Sequence, residues 1–540
     1  MDKEKIFDIF PKEDNIPERY NLKPVISDRY LLDGRLEKFN GRFQKVYSPV
    51  MVKGKNSHLS QRYIGEYPLM DQKLAFQALQ SSITAYDMGR GEWPQKTPEE
   101  RIGCVLKFVE EMKKKREEIV NIMMWEIGKT LSDCEKEFDR TVTYILDTVE
   151  ALKELDRNSS KFLISEGVYS IVKRSPLGVT LCMGPYNYPL NETFTTLIPA
   201  LIMGNTVIFK PPKFGVLLHF PLLEAFKKAF PPGVVNTIYG DGKEIITPIM
   251  KSGKIDVLAF IGSSVVADTL KHLHPKPHRL KCVLGLDAKN AAIILEDADI
   301  DIALKECISG CLSYNGQRCT AIKIIFVHEK FQNIFIEKFI REIENLKFGM
   351  PWEKDVKLTP LPDISRVEYL KGLVKDAEAK GAKVINENGG LSTGTFFYPA
   401  VLYPVKENMR IYYEEQFGPV VPFTYFNDIK QPLEYIVKSN YGQQVSIFSK
   451  DPKRISKLTD ILVNQVSRVN LNSQCQRGPD ILPFTGRKDS AEGTLSVSDA
   501  LRVFSIRSLF AFKDTDYNKK IVKKILKGRK SKFISTDFIM

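Results

Sequence analysis

The strongest constraint on the fold of this 540-residue chain is a repeated alternation of short apolar runs with helical stretches. The runs are "LGVTLCMG", "NTVIFKPP", "GVVNTIYG" and "IDVLAFIGSS", and each ends at Gly, Pro or Ser before a helix-length segment. Strands that alternate with helices form a parallel sheet covered on both faces, with ligand sites beyond the carboxyl ends of the strands. We therefore predict an α/β fold.

A second α/β pattern begins after "GLDAKNAAIILEDADIDIAL". It contains the strand candidates "IKIIFVH" and "VSIFSK" and long helices such as "FQNIFIEKFIREIENL". Two loops rich in Gly and Pro follow, and "VFSIRSLFAFK" closes the pattern as a strand. A chain of this length can hold two or three packed domains, so we expect two α/β domains with a cleft between them.

Composition narrows the function classes. The eight cysteines are scattered without metal-ligand spacing, which favours reduced thiols in a cytosol-like compartment and predicts no metal site. The most apolar run, "FTTLIPALIMGNTVIF", is too short and too polar to span a bilayer, so no membrane partner is expected. The net charge of +13 raises the possibility of nucleic acid, but no nucleic-acid motif accompanies it, and none is expected as a partner.

Much of the positive charge lies near the carboxyl terminus, in "KKIVKKILKGRKSK". One interpretation is a solvated tail, which we favour because positive terminal runs are commonly unstructured. The other is a short basic amphipathic helix, with Ile521/Ile525 and Val522/Leu526 at four-residue spacing, that touches an anionic surface or partner.

Six motifs occur in a fixed order: "GPYNYPLN", "FKPP", "FIGSS", "NGQRCTA", "EEQFGPV" and "PFTGRKDS". Through them the chain resembles the aldehyde dehydrogenase superfamily from about Tyr30 to Lys513, and within it the non-phosphorylating glyceraldehyde-3-phosphate dehydrogenases. The resemblance implies an open Rossmann-type cofactor domain, an α/β catalytic domain and a β oligomerisation arm, and hence a homodimer or homotetramer.

The predicted organisation has seven consecutive segments. They are an amino-terminal extension (1–20), the first part of the cofactor-binding domain (21–157), an oligomerisation hairpin (158–175), the second part of the cofactor-binding domain (176–286), the catalytic domain (287–490), an oligomerisation strand (491–513) and a basic tail (514–540).

The resemblance implies covalent chemistry at Cys319. Cys319 would attack an aldehyde carbonyl, while Asn187 and the Cys319 backbone N–H stabilise the oxyanion of the thiohemiacetal. Hydride transfer would leave a thioester, which water hydrolyses. Cysteine suits this role because its thiolate is a strong nucleophile near neutral pH when a cation or dipole lowers its pKa.

The same resemblance implies a nicotinamide cofactor. Lys210 would reach the adenosine ribose, and Glu415 and Phe417 would hold the nicotinamide ribose and ring. The turn at Gly262 and Ser263 opens a helix and can hold a phosphate, although such a turn is more often a simple N-cap. Lys213 stands where a carboxylate would favour NAD, so NADP is expected and NAD is less favoured.

Four positions match the residues that surround the substrate phosphate in the glyceraldehyde-3-phosphate enzymes: Arg140, Tyr188, Arg318 and Arg477. Guanidinium groups bind phosphate oxygens in pairs, and a family that mostly handles neutral aldehydes has little reason to place three of them in the cleft. The expected substrate is therefore a small phosphorylated aldehyde.

The pattern departs from the family at "GLDAK", where Gly285 replaces the glutamate that activates the deacylating water. Asp287 is the nearest carboxylate, and two residues along a strand would keep it on the same face. Three explanations remain open: Asp287 or another acid activates water, the acyl group passes to coenzyme A, or the protein deacylates slowly and serves as a binding or scaffold protein. The first predicts NADP-dependent oxidation of glyceraldehyde 3-phosphate to 3-phosphoglycerate without inorganic phosphate.

Overall fold

The computed structural model describes residues 3–54 and 58–539. Its helices, in chain order, are α1 Lys3–Phe7, α2 Gln72–Tyr86, α3 Glu92–Gln95, α4 Pro98–Lys113, α5 Arg116–Ile127, α6 Leu131–Ser159, α7 Asn191–Ile202, α8 Leu223–Ala229, α9 Gly242–Lys251, α10 Ser264–Leu273, α11 Ile300–Leu312, α12 Gln332–Asn345, α13 Ile364–Ala379, α14 Arg410–Tyr413, α15 Lys430–Lys438, α16 Pro452–Leu462, α17 Val497–Val503 and α18 Asp516–Lys527. Among the described residues, none of these helices has the length and apolar character needed to cross a bilayer.

The strands are numbered in the same way. They are β1 Val25–Ile26, β2 Arg29–Leu32, β3 Arg35–Lys38, β4 Phe43–Lys53, β5 Leu59–Pro68, β6 Leu163–Ser165, β7 Val168–Pro176, β8 Val179–Met183, β9 Thr206–Lys210, β10 Val235–Thr237, β11 Val257–Ile261, β12 Lys281–Gly285, β13 Asn290–Ile294, β14 Ile322–His328, β15 Lys383–Val384, β16 Ser392–Thr393, β17 Phe396–Phe397, β18 Ala400–Tyr403, β19 Val420–Phe426, β20 Tyr441–Gly442, β21 Gln444–Phe448, β22 Arg468–Leu471, β23 Arg487–Lys488, β24 Ala491–Glu492 and β25 Ser505–Lys513.

Two large sheets organise the molecule. The first has the order β10-β9-β8-β11-β12-β24 and is parallel except for β24. The second has the order β15-β18-β19-β14-β13-β21-β22 and is parallel except for β15. Central strands such as β8 and β13 are buried along their whole length, which explains why they appear in the sequence as continuous apolar runs. The α/β prediction is confirmed.

The first sheet borders the cleft with the carboxyl ends of its strands, and the second sheet with the amino ends of its strands. Segments that follow the carboxyl ends of β8, β11 and β12 border it from the first sheet. From the second sheet the cleft receives residues that precede their strands: Cys319 comes before β14, Glu415 before β19 and Gln443 before β21. The cavity therefore lies beyond the carboxyl ends of strands in the first sheet and at the amino ends of strands in the second.

The segments assigned to the oligomerisation arm form a small antiparallel sheet with the order β25-β7-β6. The strand within the predicted segment 491–513 is shorter than that segment, because β25 begins at Ser505. Before it, β24 pairs with β12 of the first sheet and α17 packs against α6 and α7. The predicted hairpin also begins later, because α6 continues to Ser159.

The basic segment forms the amphipathic helix α18, so it is not unstructured, but most of its residues are exposed to solvent, and its contact with an anionic surface or partner stays a prediction. Thr515 caps α18 by accepting a hydrogen bond from the Asn518 N–H, and Val522 is buried. A helix of this length is marginal in isolation, and Val522 is the residue of α18 that the fold buries.

Candidate active site

The predicted site residues converge on one place. All of them except Lys210 line a single cavity of about 720 Å³ between the two large sheets. Lys210, the last residue of β9, is partly buried and lies outside the cavity lining.

The loop before Cys319 has an unusual backbone. Tyr314, Asn315 and Gly316 all have positive φ angles, at 50°, 55° and 71°. Two consecutive non-glycine residues in this region are costly and persist where surrounding contacts hold them. Asn315 supplies such contacts, because its side chain donates to the Thr359 carbonyl (3.0 Å) and accepts from the Thr359 N–H (3.1 Å). This turn delivers Cys319 to the cavity just before β14.

The Cys319 thiol lies in an environment that keeps it protonated. Burial and the carboxylate of Glu192 raise its pKa, and Glu415 adds to this effect. Lys323 and a hydrogen bond with Gln443 oppose it without reversing it. Lys323 also donates to the Cys319 carbonyl at 2.9 Å, which fixes the backbone at Cys319. The condition of a lowered thiol pKa is therefore not met at Cys319, because burial is the largest influence and Lys323 does not overcome it.

Asn187 is held by buried contacts that the sequence did not indicate. Its Nδ2 donates to the Gln317 carbonyl at 2.8 Å, and its own carbonyl accepts from Lys129 Nζ at 2.7 Å. Lys129 forms a fully buried ion pair with Glu137 and stacks 3.6 Å from the centre of the Tyr188 ring. Glu137 accepts from two backbone N–H groups at the start of α7. These contacts fix the segment that carries both Asn187 and Tyr188.

The two arginines at the far end of the cavity are paired with carboxylates. Arg477 is buried, contacts Glu192, and donates to Asp480 (3.1 Å) and to the Leu495 carbonyl (3.1 Å). Arg140 binds both oxygens of Asp480, at 2.7 and 2.8 Å. Burial lowers the pKa of Arg477, but the two carboxylates more than compensate and the net shift is upward. The charges of this arginine end therefore cancel.

Arg318 is oriented by the end of α11. It donates to the carbonyls of Ser309 (3.2 Å) and Gly310 (3.0 Å) and to Gln474 Oε1 (3.4 Å). Cations near a helix carboxyl end are stabilised by its exposed carbonyls. Its Nε is buried and has no hydrogen-bond partner among the described residues, so one donor of Arg318 remains unused.

The amino end of α10 holds a carboxylate. Asp287 Oδ2 accepts from both the N–H and the hydroxyl of Ser264, each at 2.7 Å. Ser263 caps the same helix by accepting from the Val266 N–H (3.4 Å), and Gly262 precedes it in the cavity wall. Asp287 lies past the end of β12, so its side chain is directed by α10 and not by the face of a strand.

Basic groups also lie near this end of the cleft. Burial lowers the pKa of Lys210 to about 8, and Asp241 partly offsets the effect. The Lys210 ammonium donates to the Pro211 carbonyl at 3.3 Å and forms no ion pair within the described part of the chain. Lys213 lines the cavity, with its ammonium 5.3 Å from the ring centre of Phe214. Both lysines are available to an anion.

Glu415 and Phe417 border the cavity beside Cys319. Glu415 pairs with Lys323 and accepts from the Ala288 N–H at 3.2 Å. Burial raises the pKa of Glu415, and the nearby Asp287 carboxylate contributes, while Lys323 opposes. Phe417 has a φ of 44°, and the centre of its ring lies 5.5 Å from Lys323 Nζ.

Gly285 leaves its part of the wall without a carboxylate. A Cβ placed there would lie 3.2 Å from Leu495 and 3.5 Å from Ile261, so a larger side chain would require Leu495 to move. The cavity wall at position 285 is therefore packed around a glycine, and a glutamate side chain would need Leu495 to move.

Sequence reasoning missed Glu192, which lines the cavity, and four residues outside the lining that form ion pairs: Lys129, Glu137, Lys323 and Asp480. Glu192 looked like an ordinary acid in the first turn of a helix, where the helix dipole favours it. Asp480 is part of "CQRGPD", so its spacing of three from Arg477 was the one available signal.

Comparison with known proteins places these features in context. The model of the aldehyde dehydrogenase family matches residues 52–508. An NADP-dependent glyceraldehyde-3-phosphate dehydrogenase of Streptococcus equinus is 34% identical over 460 residues, covering 84% of this chain and 93% of that protein. A lactaldehyde dehydrogenase of Methanococcus aeolicus is 28% identical over 75% of this chain and 86% of its own. The crystal structure of the NADP-dependent glyceraldehyde-3-phosphate dehydrogenase from Bacillus halodurans, complexed with NADP, superposes with a TM-score of 0.82 at 28% identity, covering 90% of this chain and 99% of that one.

Proposed function

Because the chain belongs to the aldehyde dehydrogenase family, we propose that it oxidises glyceraldehyde 3-phosphate to 3-phosphoglycerate with NADP and water, without inorganic phosphate. The observation that carries the proposal is that Cys319, Asn187 and Arg318 line one cavity, and that the buried Nε of Arg318 has no hydrogen-bond partner among the described residues. A lactaldehyde dehydrogenase is also similar to this chain, so similarity to relatives does not by itself select the substrate. The arginine side chains are what favour a phosphorylated aldehyde.

In the first step the Cys319 thiol loses its proton to solvent, the thiolate Sγ forms a bond to the aldehyde carbon, and the carbonyl π electrons move to oxygen. Asn187 Nδ2 already donates one hydrogen to Gln317, which leaves its second hydrogen for the oxyanion, together with the Cys319 N–H. A preorganised donor of this kind contributes about 2.7–4 kcal/mol to lowering the barrier. NADP, when bound, would supply the acceptor for the hydride that leaves the thiohemiacetal carbon as the oxyanion electrons re-form the carbonyl.

The residues at the amino end of α10 fit a phosphate group. Ser264 already holds a carboxylate oxygen of Asp287 with two donors, which supports an anion site at this end. Lys210 and Lys213 would hold a 2′-phosphate, because both lack an ion-pair partner among the described residues. We therefore assign the diphosphate to the Ser264 end and expect Asp287 to give up its hydrogen bonds there when the cofactor binds.

In the last step a water attacks the thioester carbon, its proton passes to a base, and the carbon–sulfur bond breaks to restore Cys319. With glycine at position 285, Asp287 is our candidate for the base. In this account displacement from Ser264 releases Asp287 for the water, so cofactor binding and deacylation are linked.

One observation favours a second candidate function. Gly285 offers no base, and the carboxylate of Asp287 is bound to Ser264. If Asp287 stays there, the thioester awaits another acceptor, and coenzyme A acylation becomes the reaction.

The deciding experiment follows NADPH absorbance with glyceraldehyde 3-phosphate and NADP, first without phosphate or coenzyme A. We expect a burst followed by sustained turnover and formation of 3-phosphoglycerate. A burst of about one equivalent that stops, and resumes with coenzyme A, establishes the acyl transferase. Absence of a burst with any nicotinamide cofactor contradicts both candidates.

We also propose that the arm sheet mediates a homodimer or homotetramer. Its apolar side chains Ile164, Ile506 and Leu509 are 62%, 54% and 63% exposed, which is unfavourable for an isolated subunit. Sedimentation of the wild-type protein beside an Ile164→Lys, Leu509→Lys variant tests this proposal, and a monomeric wild type contradicts it.

A further inference from the structure

The carboxyl-terminal segment after α18 folds back onto the body of the protein. Lys532 forms an ion pair with Glu100 at the start of α4 (2.9 Å). The Ile539 N–H donates to Asp156 Oδ2 near the end of α6 (3.3 Å), and Arg157 lies 6.0 Å from the centre of the Phe538 ring. The segment therefore covers the meeting point of α4, α6 and β7.

Beneath it lies a cavity of about 490 Å³, which we call the tail pocket. Its described lining contains one carboxylate, Asp156, and six basic side chains. The basic side chains are Lys96, Arg101, Lys173, Arg174, Lys530 and Lys532.

Two of the six are paired with acids outside the lining, Lys96 with Glu92 and Lys532 with Glu100. The other four form no ion pair within the described part of the chain. Arg101 is buried and donates to the Ile202 carbonyl (2.6 Å), while Arg174 donates to Ser505 Oγ (2.6 Å). These neutral acceptors orient the guanidinium groups without cancelling their charge.

The electrostatics of the pocket agree with an uncompensated positive charge. Burial lowers the pKa of Lys173, against the influence of Asp156 and Asp537. Burial also lowers the pKa of Arg174, and the like charges of Arg502 and Arg507 add to the effect. A bound anion would relieve both costs.

The remaining wall is apolar and includes Leu152, Leu155, Met203 and Phe533. The volume lies within the range of about 300–1,000 Å³ found for small-molecule sites. Guanidinium and ammonium groups on one side suit phosphate oxygens, and the apolar side suits an organic group.

We propose that the tail pocket binds a phosphate monoester with an apolar or aromatic organic group, and that this ligand holds the carboxyl-terminal segment on the body. Lys173 lies on β7 and Lys530 on the returning segment, so an anion between them bridges the two. The inference is independent of the reaction proposed for the cleft.

The test uses the full-length protein and phenyl phosphate as the probe, with binding measured by calorimetry. A Lys173→Met, Lys530→Met variant removes the two unpaired lysines, and a Lys524→Met, Lys527→Met variant removes the same charge from exposed tail positions outside the lining. We expect the first variant to lose affinity at one site at least tenfold and the second to stay within about twofold of wild type. Because the arginine end of the cleft can also take phosphate, the contrast between the variants decides the outcome.

Equal binding by both variants, or an equal loss in both, would overturn the proposal, since the first means another site and the second means diffuse attraction to the basic segment. Inorganic phosphate is expected to bind more weakly than phenyl phosphate, and equal affinities would contradict the role of the apolar wall. Phenyl phosphate should also slow amide exchange over residues 529–539, and unchanged exchange would contradict the bridging.

Discussion

The arginine end of the cleft and the tail pocket both contain several basic side chains, but they differ in whether carboxylates neutralise the positive charge. In the cleft, Arg477 and Arg140 are matched by Glu192 and Asp480. In the tail pocket, Lys173 and Lys530 have no carboxylate within ion-pair distance among the described residues. The difference teaches that a count of basic residues does not identify an anion site. What matters is which cations are already neutralised, because a ligand must compete with an existing partner for those.

The largest expected effect is a loss of catalysis that leaves NADP binding intact. Cys319→Ser should lower NADPH formation by at least about a thousandfold, because the hydroxyl is a far weaker nucleophile. The thermal shift produced by NADP should persist. Cys104→Ser, at a partly exposed position outside the cleft, is the matched control and should keep its activity. Equal activity of the two variants would remove Cys319 from the mechanism.

The next prediction tests the two kinds of cation directly. Arg477→Ala leaves Glu192 buried without its partner, which should lower the free energy of unfolding by about 3–5 kcal/mol. Lys530→Ala removes an exposed, unpaired charge and should change it by less than about 0.5 kcal/mol. Urea unfolding of both variants measures the contrast, and similar losses would contradict it.

Releasing the paired arginine should sharpen substrate preference. Glu192→Gln frees Arg477 for the substrate phosphate, so we expect kcat/KM for glyceraldehyde 3-phosphate to rise roughly tenfold, the order expected of one charge-assisted hydrogen bond. Glyceraldehyde, which lacks the phosphate, is the control substrate and should gain much less. Equal gains on both substrates would mean that Glu192 acts through Cys319 alone.

A smaller effect concerns the pH dependence of the thiol. Because burial and Glu192 raise the pKa of Cys319, its thiolate fraction is low at neutral pH and alkylation by iodoacetamide should accelerate as the pH rises past the ordinary thiol value of about 8.5. Glu192→Gln removes a negative neighbour, so its alkylation profile should move to lower pH, and reaction at neutral pH should be a few-fold faster. An unshifted profile would exclude electrostatic control by Glu192.

The smallest expected effect lies at the amino end of α10. Asp287→Asn removes the carboxylate that occupies the Ser264 donors, so NADP should bind a few-fold more tightly in equilibrium titrations. Ser264→Ala removes one donor and should weaken binding instead. Unchanged affinity in Asp287→Asn would mean that the cofactor does not displace Asp287.

How far the sequence predicted the site depended on where each contact came from. The placement of Cys319, Asn187 and Glu415 followed from local motifs, because each motif occupies a turn next to a buried strand. The role predicted for Asp287 depended on a strand that continues through position 287, but β12 ends at Gly285, and the direction of the side chain is set by Ser264 on another element. Arginine pairing was equally hidden, since Glu192 and Arg477 are 285 residues apart in the chain.

The sequence by itself determined the α/β architecture and the family, because alternating apolar runs and short turn motifs are local properties of the chain. Tertiary structure alone decided the charge state of the site and the fate of the basic segment. Whether a cation is paired, a thiol is desolvated or a short helix finds an apolar surface depends on neighbours that are distant in sequence, and folding brings those neighbours together.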